Sequence, residues 1–153
     1  MSSPHMWLEE GSPWVREHTK AAFPILLGRV QLPEPQIYYT DLSLAVAKRL
    51  AQPPVKFIRA YHMVARRIDE LLNRLSDTWP HGEIPPLGVL VVRKHDDLPG
   101  PVFDSFLERY LTKSNHAPFT RQTRKGAIKL ATQAVQKYAH WDKVAESFGI
   151  KIS

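Results

Sequence analysis

The sequence predicts an α+β fold, mostly α, and three observations carry that expectation. Apolar residues recur at steps of three and four in several separate stretches, as in helices with one buried face. One run, Leu87-Gly88-Val89-Leu90-Val91-Val92, is short, β-branched and bounded by turn residues, which fits a buried strand. At 153 residues and 43% hydrophobic content, the chain suits one domain burying roughly 68–70% of the surface its unfolded form exposes. The expected division is an N-terminal arm, residues 1–36, and a single globular domain, residues 37–153.

Residues 1–6, MSSPHM, have the small, polar composition of a cloning remnant. The apolar groups of residues 7–36 are broken by Pro13, Pro24, Pro33 and Pro35, so at most short helices and an extended arm are expected, with Trp7, Trp14 and Phe23 packing it onto the body. Thr40 or Asp41 is a candidate cap for a helix over 41–51, where Leu42, Ala45, Val46 and Leu50 hold helical spacing and Pro53-Pro54 stops it. Residues 55–75 predict the strongest helix, with Ile58, Tyr61, Val64, Ala65, Ile68, Leu71, Leu72 and Leu75 on one face. After a polar break at 76–83 comes the strand run, then a turn over 95–101 and a short helix over 102–111. Thr120 can cap a long helix over 121–139 with Ile128, Ala131, Val135 and Tyr138 inward. Trp141 reads as core, Asp142 as a cap for DKVAESF, and Gly149 as the left-handed end of that helix.

The absence of cysteine excludes disulfides, thiolate metal sites and a cysteine nucleophile. No apolar stretch reaches the roughly 18 residues of a membrane span, and no basic segment leads into an apolar core at the N-terminus. A cytoplasmic location is therefore expected. No nucleotide-loop, serine-hydrolase or zinc-protease pattern occurs, and no cofactor or metal is called for. The formal charge of +6 and a pI near 9.7 allow attraction to polyanions.

Two helices concentrate that charge. The outer face of the 55–75 helix carries Lys56, Arg59, His62, Arg66, Arg67, Asn73 and Arg74, with Asp69 and Glu70 as partial counter-charge; Arg59, His62 and Arg66 share a stripe. Between Arg109 and Trp141 lie seven cations, Arg109, Lys113, Arg121, Arg124, Lys125, Lys129 and Lys137, and no Asp or Glu. Arg121, Lys125 and Lys129 recur at steps of four, able to track a phosphate backbone. Cations in the first turn oppose the helix dipole by about 0.3–1 kcal/mol, a cost that a bound anion would relieve. A plain solvated face is the competing reading of both helices.

Arg93, Lys94, His95, Asp96 and Asp97 emerge where the strand run ends. A hydrolase could use His95 as base, Asp96 or Asp97 to orient it, and Arg93 and Lys94 to stabilise an anion. Neighbouring residues on a strand point to opposite faces, so Arg93 and Lys94 cannot both serve one site if the strand continues. A carboxylate two positions before Lys94, which a strand-borne nuclease site needs, is replaced by Val92. The alternative is a polar turn closing a hairpin.

The order YYTDLSLAV, an arginine-rich second helix, then PPLGVLVVRKHDDLPG resembles the winged-helix DNA-binding domain of the alkyltransferase and alkyltransferase-like family, over Ile37 to Pro101. The resemblance implies a winged-helix-like core, with Tyr39 near DNA, Arg59 or Arg66 on a recognition helix, and Arg93 to Asp97 near the wing. The family's Pro-Cys-His-Arg or Pro-Trp-His-Arg signature is absent, so binding without alkyl transfer is what the resemblance implies.

The leading expectation is thus a non-enzymatic nucleic-acid-binding protein of winged-helix type, with DNA favoured over RNA but the choice left open by the sequence. Arg59, His62 and Arg66 would contact a groove, and Arg121, Arg124, Lys125 and Lys129 would meet phosphates. The alternatives are an enzyme acting on nucleic acid or another phosphate-rich substrate through Arg93, Lys94, His95 and Asp96, or an interaction subunit docking a protein partner through its N-terminal arm.

Overall fold

The structure, a computed structural model, describes residues 3–55, 59–117 and 123–152. It is mostly helical with one small sheet. The elements run α1 (Pro4–Trp7), α2 (Pro13–Arg29), β1 (Ile37–Tyr38), α3 (Tyr39–Leu50) and α4 (Ala60–Ser76). A 3-10 turn (Leu87–Leu90), β2 (Val91–Val92) and a second 3-10 turn (Pro101–Phe103) follow, then α5 (Asp104–Lys113), α6 (Arg124–Lys137) and α7 (Trp141–Phe148). The two strands pair in parallel, Ile37 with Val91 and Tyr38 with Val92.

At the centre lies α4, whose residues Tyr61, Val64, Ile68, Leu71 and Leu72 are almost wholly buried. Its apolar positions fall at helical spacing, so one face meets α2, the first 3-10 turn and α3 while the other meets solvent. Tyr61 also receives a polar partner: its hydroxyl lies 2.6 Å from His18 Nδ1 on α2, and Trp14 stacks on His18 at 4.1 Å. Burial pushes the Tyr61 hydroxyl up to about 12 and the His18 ring below its ordinary value.

Residues 7–36 are not an arm. Pro13 opens the 17-residue helix α2 at a position where its missing N–H has no partner to lose. Pro24 lies inside that helix, where an interior proline costs about 3 kcal/mol. Burying Phe23, Leu26 and Leu27, at roughly 1.5–3 kcal/mol each, outweighs it. Trp7 and Leu8 are buried too, Trp7 edge-on to Phe148 at 6.1 Å, so this part of the chain belongs to the common core.

The expected strand over 87–92 is buried throughout, but only Val91 and Val92 form one. The Gly88 N–H is donated at 3.0 Å to Asp69 Oδ1 on α4, and the Val89 N–H to the Pro86 carbonyl at 3.2 Å. Those bonds wind Leu87–Leu90 into a 3-10 turn. A Cβ on Gly88 would collide with the Asp69 carboxyl, so glycine is required there. Asp69 is therefore no part of the outer charged face: it is 1% exposed, and burial pushes its carboxyl up to about 7 against the N–H groups of Gly88 and Leu87.

The caps also differ. Tyr38 precedes α3 without a side-chain cap, and Asp41 sits in the first turn instead. Thr123 caps α6 by accepting the Gly126 N–H at 3.0 Å; the expected cap Thr120 lies outside the described residues. His140, not Asp142, precedes α7, while Gly149 ends it at φ +68 as expected. Trp141 is 5% exposed, with its indole N–H on the Val135 carbonyl at 2.8 Å. Among the described residues, no helix is long and apolar enough to cross a membrane.

Candidate nucleic-acid interface

Tyr39, the first residue of α3, is 5% exposed, and its ring stacks on His62 of α4 at 4.2 Å with 22° between planes. The other side of His62 meets Gly100: a Cβ built there would lie 2.6 Å from His62 Cε1. Only a residue without a side chain lets the 99–100 segment approach so closely. The Gly100 N–H also points at the Tyr39 hydroxyl, at 3.5 Å. His62 is thus held between a ring and a backbone, half-buried. Burial, then Arg93, then Arg59 hold its imidazole below the ordinary value, so at neutral pH a neutral ring stands beside two guanidinium groups.

Arg93 leaves the end of β2 and is gripped by Asp96, through Nε at 3.3 Å and through a closer Nη2 contact. The segment it opens is a tied turn. The Arg93 N–H donates to the Leu98 carbonyl at 2.9 Å, the Asp97 N–H to the Arg93 carbonyl at 2.9 Å, and the Leu98 N–H to Asp96 Oδ1 at 3.1 Å. Asp97 adopts the left-handed φ of +57 and accepts the Tyr38 hydroxyl at 2.8 Å, which fastens the turn to β1. Lys94 and His95 project from its tip, His95 with 72% of its side chain exposed.

The same bonds weigh on the acid–base arrangement considered for Arg93, Lys94, His95 and Asp96. Asp96 is held by Arg93 and the Leu98 N–H, and its contact with His95 Nε2 is 3.6 Å. Desolvation pushes the Asp96 carboxyl up, but the Arg93 and Leu98 bonds outweigh it and leave the carboxyl below its ordinary value. Among the described residues no group of three or more His, Asp or Glu side chains is placed to hold a metal ion.

Arg124, in the first turn of α6, donates to Asp104 Oδ1 at 3.0 Å and to the Pro99 and Gly100 carbonyls at 2.7 and 3.1 Å. Its position at a positive helix end needs no external anion, because Asp104 and two carbonyl oxygens already neutralise it. The clasp brings the first turn of α6, and Lys125 with it, to the segment touching His62. Tyr39, His62 and Arg124 therefore meet at Gly100, and the charges of Arg93 and Arg59 act on the His62 ring.

The remaining expected site residues divide. Arg59 is exposed and has no ion-pair partner among the described residues, and the same holds for Lys125 and Lys129. Arg66 pairs with Glu70 at 3.0 Å. Arg67 pairs with Glu10 and Glu70, and Arg74 with Glu10 while lying 4.1 Å over the Trp7 ring. Arg109 is engaged by Glu83 and Asp77, each at 2.9 Å, so the acid-free window in sequence is not acid-free in space. Lys56 and Arg121 lie outside the described residues.

Two residues were missed by the sequence reading. Gly100 looked like one turn residue among several, and Met63, 55% exposed between Arg59 and Arg66, carries no charge to draw attention. No family model, curated protein or solved structure matches this chain.

Proposed function

We propose that the protein binds duplex DNA without acting on it, through the outward face of α4 and the tied turn from Arg93 to Leu98. The observation carrying this reading is that His62, seated against Gly100, lies within the influence of the Arg59 and Arg93 charges, while Arg124 fastens the first turn of α6 to the same segment. The order β1, α3, α4, β2, turn suits a winged-helix arrangement, with α4 as the groove helix and the turn as a wing. Lys125 and Lys129 neutralise phosphates, Arg59 and His62 approach the groove, and Arg124 and Tyr39 act as positioning residues.

Duplex DNA fits better than RNA. The A-form major groove is too deep and narrow for a helix. Single strands are bound on exposed aromatic rings, whereas Tyr39 is buried and His62 is stacked on it. The enzymatic alternative has less support, because the carboxylate beside His95 is engaged by Arg93.

The test is fluorescence anisotropy on a labelled 24-base-pair duplex across a salt series. The slope of log affinity against log salt falls by about 0.9 for each phosphate contact removed, so Lys125→Gln with Lys129→Gln flattens it by about 1.8. An unchanged slope, or no duplex binding at low salt, overturns the proposal.

A further inference from the structure

If α4 enters a groove by its amino-terminal half, the exposed residue between Arg59 and Arg66 on its outward ridge meets base edges. That residue is Met63. At 55% it is the most exposed of the large apolar side chains among the described residues, above Met6, Leu32, Leu44, Val102 and Ile152. It stands one turn from Arg59 and just under one turn from Arg66, both exposed. Val102, 42% exposed, lines the same small cavity as Arg66, so a second apolar side chain lies close to the ridge. Met63 thus has a cation without an ion-pair partner among the described residues on one side, Arg59, and on the other Arg66, whose charge is shared with Glu70 at 3.0 Å.

A thioether offers no donor and only a weak acceptor, so it gains little from the polar edges of bases. The major groove presents one apolar group, the C5-methyl of thymine. A 5-methylcytosine carries the same group at the same ring position. Methionine, unbranched and polarisable, adapts its shape to such a contact. We infer that Met63 is a specificity-determining residue that packs on a pyrimidine C5-methyl group in the major groove of duplex DNA. The inference rests on the duplex-binding reading above.

Replacing thymine by deoxyuridine removes this methyl and leaves O4 and the base pairing unchanged, which gives a clean experiment. Duplexes enriched by the wild-type protein from a randomised pool are remade with thymine, with deoxyuridine, and with deoxyuridine plus 5-methylcytosine in place of cytosine. The thymine form binds more tightly than the deoxyuridine form, by about fourfold for each methyl group taken out of water. A gain with 5-methylcytosine extends the contact to that base, and its absence assigns the contact to thymine; both results support the inference. Met63→Ala binds the thymine and deoxyuridine forms equally while keeping the wild-type salt slope, and its melting temperature is unchanged because the side chain is exposed. Equal binding of the two forms by the wild type, or a preference surviving in Met63→Ala, overturns the inference while leaving duplex binding intact. Failure to bind any duplex removes the underlying reading instead.

Discussion

Asp69→Asn tests the electrostatics of the α4 core. The carboxyl is 1% exposed, and its titration moves from the ordinary 3.8 up to about 7, because burial disfavours the charged form more than the Gly88 and Leu87 N–H groups favour it. A folded-state value above the unfolded one means that the native protein holds a proton which the unfolded chain releases. The contribution of Asp69 to stability is therefore fully present below about pH 4, declines through the interval up to about pH 7, and is flat above it. The gap between 3.8 and about 7, at about 1.4 kcal/mol per pH unit, corresponds to about 4 kcal/mol. Asparagine keeps an oxygen for the Gly88 N–H and does not titrate. Urea unfolding of both proteins from pH 4 to 8 measures the difference, in which the other carboxylates cancel. The stability of wild type minus variant should fall by about 3 kcal/mol on going from pH 4 to pH 7 and level off by about pH 8. Parallel curves across the range would refute the assignment.

Two further changes probe the packing around Gly100 and Glu83. Gly100→Ala places a methyl 2.6 Å from His62 Cε1, so the ring must leave Tyr39 or the segment must retreat; a loss of about 1–3 kcal/mol is expected in thermal unfolding, with weaker duplex binding. Arg109→Met leaves Glu83, whose side chain is 11% exposed, without its guanidinium. Chemical denaturation should show a loss of about 1–3 kcal/mol, and adding Glu83→Gln should restore part of it, since the stranded charge is then gone.

The parts of the fold legible in the sequence are those set by local pattern. Tyr61, Val64, Ile68, Leu72 and Leu75 repeat at helical steps, and α4 follows from them within the described residues. Proline misled the reading of α2, because Pro13 occupies the one helical position where it is harmless and Pro24 is carried by tertiary burial. Asp69 did leave a signal: four residues after Ala65 and three before Leu72, it falls on the inner stripe, and sorting residues by charge concealed this. The 3-10 winding of Leu87–Leu90 depends on that same carboxyl, so one misplacement hid the other. At the candidate interface, the shared stripe of Arg59 and His62 followed from helical spacing. The role of Gly100 and the neutralisation of Arg124 by Asp104 did not, because they join segments 38 and 20 residues apart in the chain.

The placement of α2 has a kinetic consequence. Its partner surface is supplied by α4, and the His18–Tyr61 bond joins residues 43 apart in the chain. Closing a loop of that length costs about 3 kcal/mol of chain entropy beyond a constant, before any contact repays it. During synthesis the first long helix emerges with Phe23, Leu26 and Leu27 facing water and must wait for α4 to be made. Productive collapse of the amino-terminal third is therefore a late, non-local event, and the nascent chain is most prone to self-association in the interval before it.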